Sequence, residues 1–100
     1  MSKIVQGSFA FDYDTMSAYI PQSKITLAKD AGLRHDSRGD YREIKLWYVE
    51  DYIPGGPLPG SRPAELRCDG EEWPDNWDVV TSIIMYDGTI RHLVAAVDHG

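Results

Sequence analysis

The chain has one cysteine, Cys68, and no run of apolar residues long enough to cross a membrane as a helix. A single cysteine cannot close an internal disulfide, which fits a reducing compartment. Residues 1–20 include Asp12 and Asp14 and lack the basic start and apolar stretch of a secretion signal. We therefore expect a cytoplasmic protein that carries no leader and does not associate with a membrane.

Familiar catalytic and ligand-binding motifs are also missing. The sequence contains no Gly-rich phosphate loop, no G-x-S-x-G elbow, no H-E-x-x-H pair and no spaced set of Cys and His residues. Each of these patterns places specific chemistry on a local structure, so their absence disfavours an enzyme. No catalytic residue, metal site or cofactor is predicted.

Basic residues are scarce in the second half of the chain. Residues 1–49 hold seven Lys or Arg against six Asp or Glu, whereas residues 50–100 hold three against ten, which together give the net charge of −6. Residues 69–78 alone carry five acidic side chains and no basic one. Such a field repels a phosphate backbone and attracts basic protein surfaces, so we do not expect direct binding to nucleic acid.

The composition is that of a folded domain. The chain has 100 residues, of which 42% are hydrophobic and 11% aromatic. A chain of this length buries enough surface to fold without a disulfide or a metal, and it is too short for a second core. We expect residues 1–100 to form a single small acidic domain. The predicted fold class is α+β and β-rich, with an antiparallel sheet of about five to six strands and at most one short helix.

Alternating side chains predict most of the strands. Residues 3–11 and 16–20 flank the turn-forming residues 12–15 and are predicted to form a first hairpin. Within residues 41–52, Ile44, Leu46 and Tyr48 share one predicted buried face. Residues 64–68 form a short strand on the same grounds, and residues 53–63, with four prolines and three glycines, form a long loop.

Residues 23–30 allow two interpretations. Ser23 could cap a short helix that ends near Asp30, with Gly32 in a left-handed conformation just after it. The alternative is a strand, because Ile25 and Leu27 alternate with polar residues. The helix is slightly preferred, and the polar residues that follow it, up to residue 40, are predicted to form a loop.

The C-terminal hairpin is the clearest local prediction. Asp87 and Gly88 separate two apolar runs, residues 77–86 and 89–97. A two-residue type I′ turn at this Asp-Gly pair would place Met85 opposite Ile90 and Ile83 opposite His92, on a core face. The opposite face of the hairpin is predicted to be partly covered by other residues or by another molecule.

The segment of residues 69–78 is the predicted binding site. Its acids favour encounter with a basic partner, and its two Trp residues supply the kind of contact that dominates interface energies. The alternative is that one or both Trp rings fold back and cover the edge of the sheet. The predicted partner-binding residues are Asp69, Glu71, Glu72, Trp73, Asp75, Trp77 and Asp78. The predicted function is a small acidic protein-binding module that inhibits a basic or nucleic-acid-handling protein, as an immunity protein or an anti-CRISPR-like phage counter-defence protein does.

Two other classes remain open. A small enzyme or ligand-binding domain could use His35 with Asp36 or Asp40, or His92 alone, since imidazole and carboxylate groups perform acid–base chemistry. These side chains are more typical of turns and of a core histidine, respectively. The protein could also be a homo-oligomeric structural or phage accessory protein.

Overall fold

The computed structural model describes residues 2–51, 55 and 60–97, and within these residues the chain forms seven strands and no helix. The strands are β1 (Ser2–Asp12), β2 (Ser17–Pro21), β3 (Ile25–Asp36), β4 (Gly39–Asp51), β5 (Ser61–Arg67), β6 (Trp77–Ile84) and β7 (Ile90–Ala96). The prediction of a β-rich antiparallel protein is confirmed, but the α+β label is wrong. No helix in the described residues is available to cross a membrane.

The strands form two antiparallel sheets rather than one. The first has the order β1-β4-β3 and the second the order β2-β5-β7-β6. Strand β1 also contacts β2, and β3 contacts β6, so the two sheets meet along both pairs of edges. The side chains between the sheets form the core. The fully buried large side chains are Phe11, Ile20, Ile44, Leu46, Leu66, Ile83, Leu93 and Val94.

Strands β4 and β5 follow the predicted alternation. Ile44 and Leu46 are fully buried on β4, the central strand of the first sheet, and Tyr48 is half-buried on the same face. On β5, Ala64 and Leu66 are buried. Removing each large side chain of this kind from water stabilises the fold by roughly 1.5–3 kcal/mol. Most of the predicted loop of residues 53–63 lies outside the described residues, but residues 61–63 belong to β5, so the loop prediction is wrong for them.

The preferred helix over residues 23–30 is wrong, because residues 25–30 begin β3 and pair with β4. The burial pattern is that of a strand with one inward and one outward face. Ile25 and Asp30 are buried against the core, whereas Leu27 and Lys29 are exposed. Gly32 does have the expected positive φ, of 102°, but at a bulge in β3. Glycine adopts a positive φ of this kind without strain, whether at a bulge or after the end of a helix.

The predicted first hairpin is also wrong. Strand β1 pairs with β4 and strand β2 pairs with β5, so the connection between β1 and β2 crosses from one sheet to the other. The predicted turn does form: the Asp12 carboxylate accepts hydrogen bonds from the N–H groups of Asp14 and Thr15, at 2.9 and 3.0 Å. The local turn was readable, but the strand that each arm would pair with was not.

The C-terminal hairpin exists, with a register shifted by one residue. Met85 donates its N–H to the carbonyl of Thr89 at 2.7 Å, and Gly88, with φ of 87°, closes a three-residue loop. Ile84 therefore pairs with Ile90, and Ile83 pairs with Arg91. A one-residue shift moves every side chain of one strand to the other face. His92 consequently points away from the core, contrary to the prediction.

Candidate functional site

The predicted binding segment, residues 69–78, connects β5 to β6 and lies against the outer face of the second sheet. Two short turns give it its shape. Glu71 donates its N–H to the carbonyl of Cys68 at 3.1 Å, and the N–H of Trp77 bonds the carbonyl of Pro74 at 3.0 Å. Gly70 has a φ of 86°, which the first turn requires and which glycine adopts without strain.

Side chains hold this segment on the sheet. Arg67 donates its Nε–H to the carbonyl of Glu72 at 3.1 Å. The indole N–H of Trp73 bonds the carbonyl of Trp77, also at 3.1 Å. Because these bonds connect the middle of the segment to both strands that flank it, the segment has a defined conformation before any partner arrives.

A third contact joins the segment to the middle of the sheet. The carboxylate of Asp69 lies 2.5 Å from Nε2 of His92, and Nδ1 of the same ring lies 2.8 Å from the hydroxyl of Ser82. Ser82 and His92 are directly paired on β6 and β7. The register shift on β7 is what allows this line of three polar groups to form on the outer face.

The five acidic side chains fall into two groups. Asp69 contacts His92, and Glu71 accepts a hydrogen bond from the N–H of Cys68 at 2.5 Å. This hydrogen bond from Cys68 is the main reason that the pKa of Glu71 is below its ordinary value. The carboxylate therefore stays ionised at lower pH than that of a free glutamate. Glu72, Asp75 and Asp78 are exposed, and their carboxylates form no hydrogen bond or ion pair with any described residue.

The two Trp side chains take different positions. Trp77 is half-buried at the start of β6, whereas Trp73 is 40% exposed. Trp73 lines a shallow hollow of 490 Å³ together with Glu71, Glu72 and Asp75. An accessible indole therefore lies beside Glu72 and Asp75, whose carboxylates have no partner within the described residues.

The alternative acid–base group lies at the tip of the hairpin between β3 and β4. His35 pairs with Asp40 across the strands, and Nδ1 of His35 is 2.5 Å from the Asp40 carboxylate. Asp36 instead accepts the backbone N–H of Arg38 at 2.8 Å, which lowers the pKa of Asp36. The predicted loop is thus a tight turn at residues 37 and 38, in which His35 contacts Asp40 and Asp36 is bonded to Arg38.

Metal binding finds no support in the described part of the chain. No group of three or more His, Cys, Asp or Glu side chains there is arranged to hold an ion. Asp12 uses its carboxylate to accept two backbone N–H groups of its own turn. These carboxylates perform the turn-forming role that the sequence favoured.

Sequence analysis did not identify one important residue, Asp30. Asp30 has a buried carboxylate that is bonded to the guanidinium of Arg42 at 2.7 Å and to two backbone N–H groups. The only signal in the sequence was its position on the inward side of a strand, which the helical interpretation concealed.

Comparisons of the chain with protein-family models, with curated proteins and with solved structures find no match.

Proposed function

We propose that this protein is a small acidic binding module that docks residues 69–78 on a basic surface of another protein and inhibits it. The observation that supports the proposal best is that three exposed carboxylates, those of Glu72, Asp75 and Asp78, and the accessible ring of Trp73 occur on one short segment. Both lie on a segment whose conformation is already held by hydrogen bonds to β5 and β6.

The two kinds of side chain have separate roles in this proposal. Carboxylates on the rim of an interface accelerate the encounter with a basic partner and make affinity fall as salt rises. An aromatic ring removed from water at the centre of the interface slows dissociation. A segment that is ordered before binding loses less conformational entropy when the complex forms, so more of the contact energy appears as affinity.

The proposed target is a protein that handles nucleic acid. Its phosphate-binding groove is basic, and a cluster of carboxylates can take the place of phosphate charges there. Occupying that groove would inhibit the target in the manner of an immunity protein or of a phage counter-defence protein. We propose that the encounter takes place in the cytoplasm.

The test compares two variants that change the net charge equally. Glu72→Gln with Asp75→Asn removes two charges from the segment, and Asp14→Asn with Asp51→Asn removes two exposed charges elsewhere. Immobilised protein of each type is used to capture partners from a host lysate, which are identified by mass spectrometry. We expect a basic protein that is retained by the wild type and by the control and is lost from the segment variant. Equal retention by both variants would contradict the proposal.

A second candidate function is supported by the contacts of His92. Its two ring nitrogens lie within hydrogen-bonding distance of Ser82 and Asp69. In an ester hydrolase, Ser82 would attack the acyl carbonyl, His92 would take the hydroxyl proton and return it to the departing alcohol, and water would release the acyl group. Hydrolysis of p-nitrophenyl acetate that is lost in both Ser82→Ala and His92→Gln would support this activity. Equal rates in these variants and the wild type would exclude it.

A further inference from the structure

A small hollow opens at the end of the core where β1, β2 and β4 meet. It has a volume of 230 Å³. Three aromatic residues, one from each strand, line it: Phe9, Tyr19 and Tyr48. Glu50 lines the same hollow. This site lies on elements other than the segment of residues 69–78 and is independent of the function proposed for that segment.

The rings meet at a steep angle. The centroids of Phe9 and Tyr48 are 6.3 Å apart, and their planes are inclined by 65°. Gly7 makes this arrangement possible, because a Cβ atom at that position would lie 3.0 Å from Cε2 of Phe9 and 3.3 Å from Cε1 of Tyr48. Tyr19 is 69% exposed at the rim. The angle between the rings of Phe9 and Tyr48 is that of the edge-to-face arrangement that aromatic pairs prefer.

Glu50 adds a negative charge to the aromatic wall. It lies two residues after Tyr48 on β4, so both side chains project from the same face of the strand. No described residue forms a hydrogen bond or ion pair with its carboxylate. The nearest basic side chain by register is that of Lys3, which pairs with Glu50 across β1 and β4 without forming an ion pair.

We propose that this hollow binds a quaternary ammonium group. The negative faces of aromatic rings attract an organic cation, and the attraction is largest for a cation that gives up little hydration, as a methylated ammonium does. The Glu50 carboxylate supplies the matching charge without requiring a hydrogen-bond donor. A net charge of −6 on the chain also favours a cationic ligand over an anionic one.

The probe is choline, and its neutral control is 3,3-dimethylbutan-1-ol, which has the same shape without the charge. Binding is measured by NMR titration of the tyrosine ring signals. We expect choline to bind saturably and the neutral alcohol to bind at least tenfold more weakly. Tyr19→Ala should weaken choline binding roughly two- to fivefold, and Tyr19→Phe should retain it, because the ring and not the hydroxyl makes the contact.

Matched variants locate the site. Glu50→Gln should weaken choline binding, whereas Asp14→Asn, which removes an exposed charge elsewhere, should not. Tyr13→Ala removes an exposed ring outside the hollow and should leave binding unchanged. Equal binding of choline and the neutral alcohol, or unchanged choline binding in both Tyr19→Ala and Glu50→Gln, would overturn the proposal.

A peptide that carries trimethyl-lysine identifies the source of the cation. Tighter binding of this peptide than of choline, with no binding of its unmethylated form, would assign the site to a modified protein. Tighter binding of choline would assign it to a free small molecule. In both cases the quaternary ammonium is the recognised group, and failure of both probes to bind would refute the site without affecting the function proposed for residues 69–78.

Discussion

Asp30 on β3 accepts a hydrogen bond at 2.8 Å from the backbone N–H of Tyr86, in the turn between β6 and β7. This bond joins the two sheets, because β3 belongs to the first and the turn to the second. The same carboxylate is bonded to Gly32 and to the guanidinium of Arg42. A buried charge is tolerated where hydrogen bonds and an opposite charge replace its hydration, and both are present at Asp30.

Replacement of Asp30 should be strongly destabilising. Asp30→Asn leaves the half-buried guanidinium of Arg42 without its counter-charge, and we expect a loss of roughly 3–5 kcal/mol in the free energy of unfolding. Glu43→Gln, which breaks the exposed pair of Glu43 with Arg34, should cost less than about 1 kcal/mol. Urea unfolding at neutral pH measures both. Similar losses in the two variants would show that the contact of Asp30 between the sheets contributes no more to the free energy of unfolding than an exposed ion pair.

The pH dependence of stability should reflect the same carboxylate. Burial alone would raise the pKa of Asp30, but the N–H groups of Tyr86 and Gly32 and the charge of Arg42 outweigh it and hold the pKa below its ordinary value of 3.8. The stabilisation is therefore complete above the pKa of the unfolded state and is lost as the pH falls through the lower pKa of the folded state. Unfolding measured from pH 7 to pH 2.5 should show a shallower loss in Asp30→Asn than in the wild type.

Two neighbouring isoleucines test the assignment of the core. Ile83 is 1% exposed and Ile84 is 75% exposed on the same strand. Ile83→Ala should cost roughly 2–5 kcal/mol because it leaves a cavity between the sheets, and Ile84→Ala should stay within about 0.5 kcal/mol. Glu72→Ala should behave like Ile84→Ala. Thermal and urea melts provide the comparison, and a reversed order of the two isoleucines would mean that the register of β6 is misassigned.

Substitution of Gly88 tests the conformation of the turn in the last hairpin. Gly88 has a φ of 87°, which a residue with a Cβ atom adopts only with strain. Gly88→Ala should destabilise the protein by roughly 1 kcal/mol, and Gly88→Asn should cost less, because Asn tolerates the left-handed conformation. The type I′ alternative requires a left-handed conformation at Asp87 as well. Equal sensitivity to β-branched substitution at Asp87 and Gly88 would support that alternative turn.

Binding kinetics should separate the acids of the segment from its tryptophan. Glu72→Gln with Asp75→Asn should mainly slow association with the captured partner, and the effect should shrink at high salt. Trp73→Ala should mainly speed dissociation, with a loss of roughly 2 kcal/mol or more. Glu71 is a poor choice for the charge test, because its carboxylate accepts the N–H of Cys68 and supports the turn. Unchanged kinetics in these folded variants would leave residues 69–78 without a binding role.

Several features of this protein could be predicted from the sequence because they depend on neighbours along the chain. The period-two pattern that buries Ile44 and Leu46 is a property of one extended strand, whichever strands pair with it. The capping of the turn by Asp12 involves residues two and three positions away. The exposure of Glu72, Asp75 and Asp78 follows from the cost of burying unpaired charge.

Only the tertiary structure decided which strands pair and in which register. Residues 23–30 have a pattern that suits a helix or a strand, and pairing with β4 selects the strand. The last hairpin differs from its prediction by one residue in the turn, and that single residue moves His92 to the outer face, where it meets Asp69. The contact of Asp30 with Tyr86 joins residues 56 positions apart. Such contacts are invisible in the sequence because their energy depends on long-range pairing and burial, which no local pattern encodes.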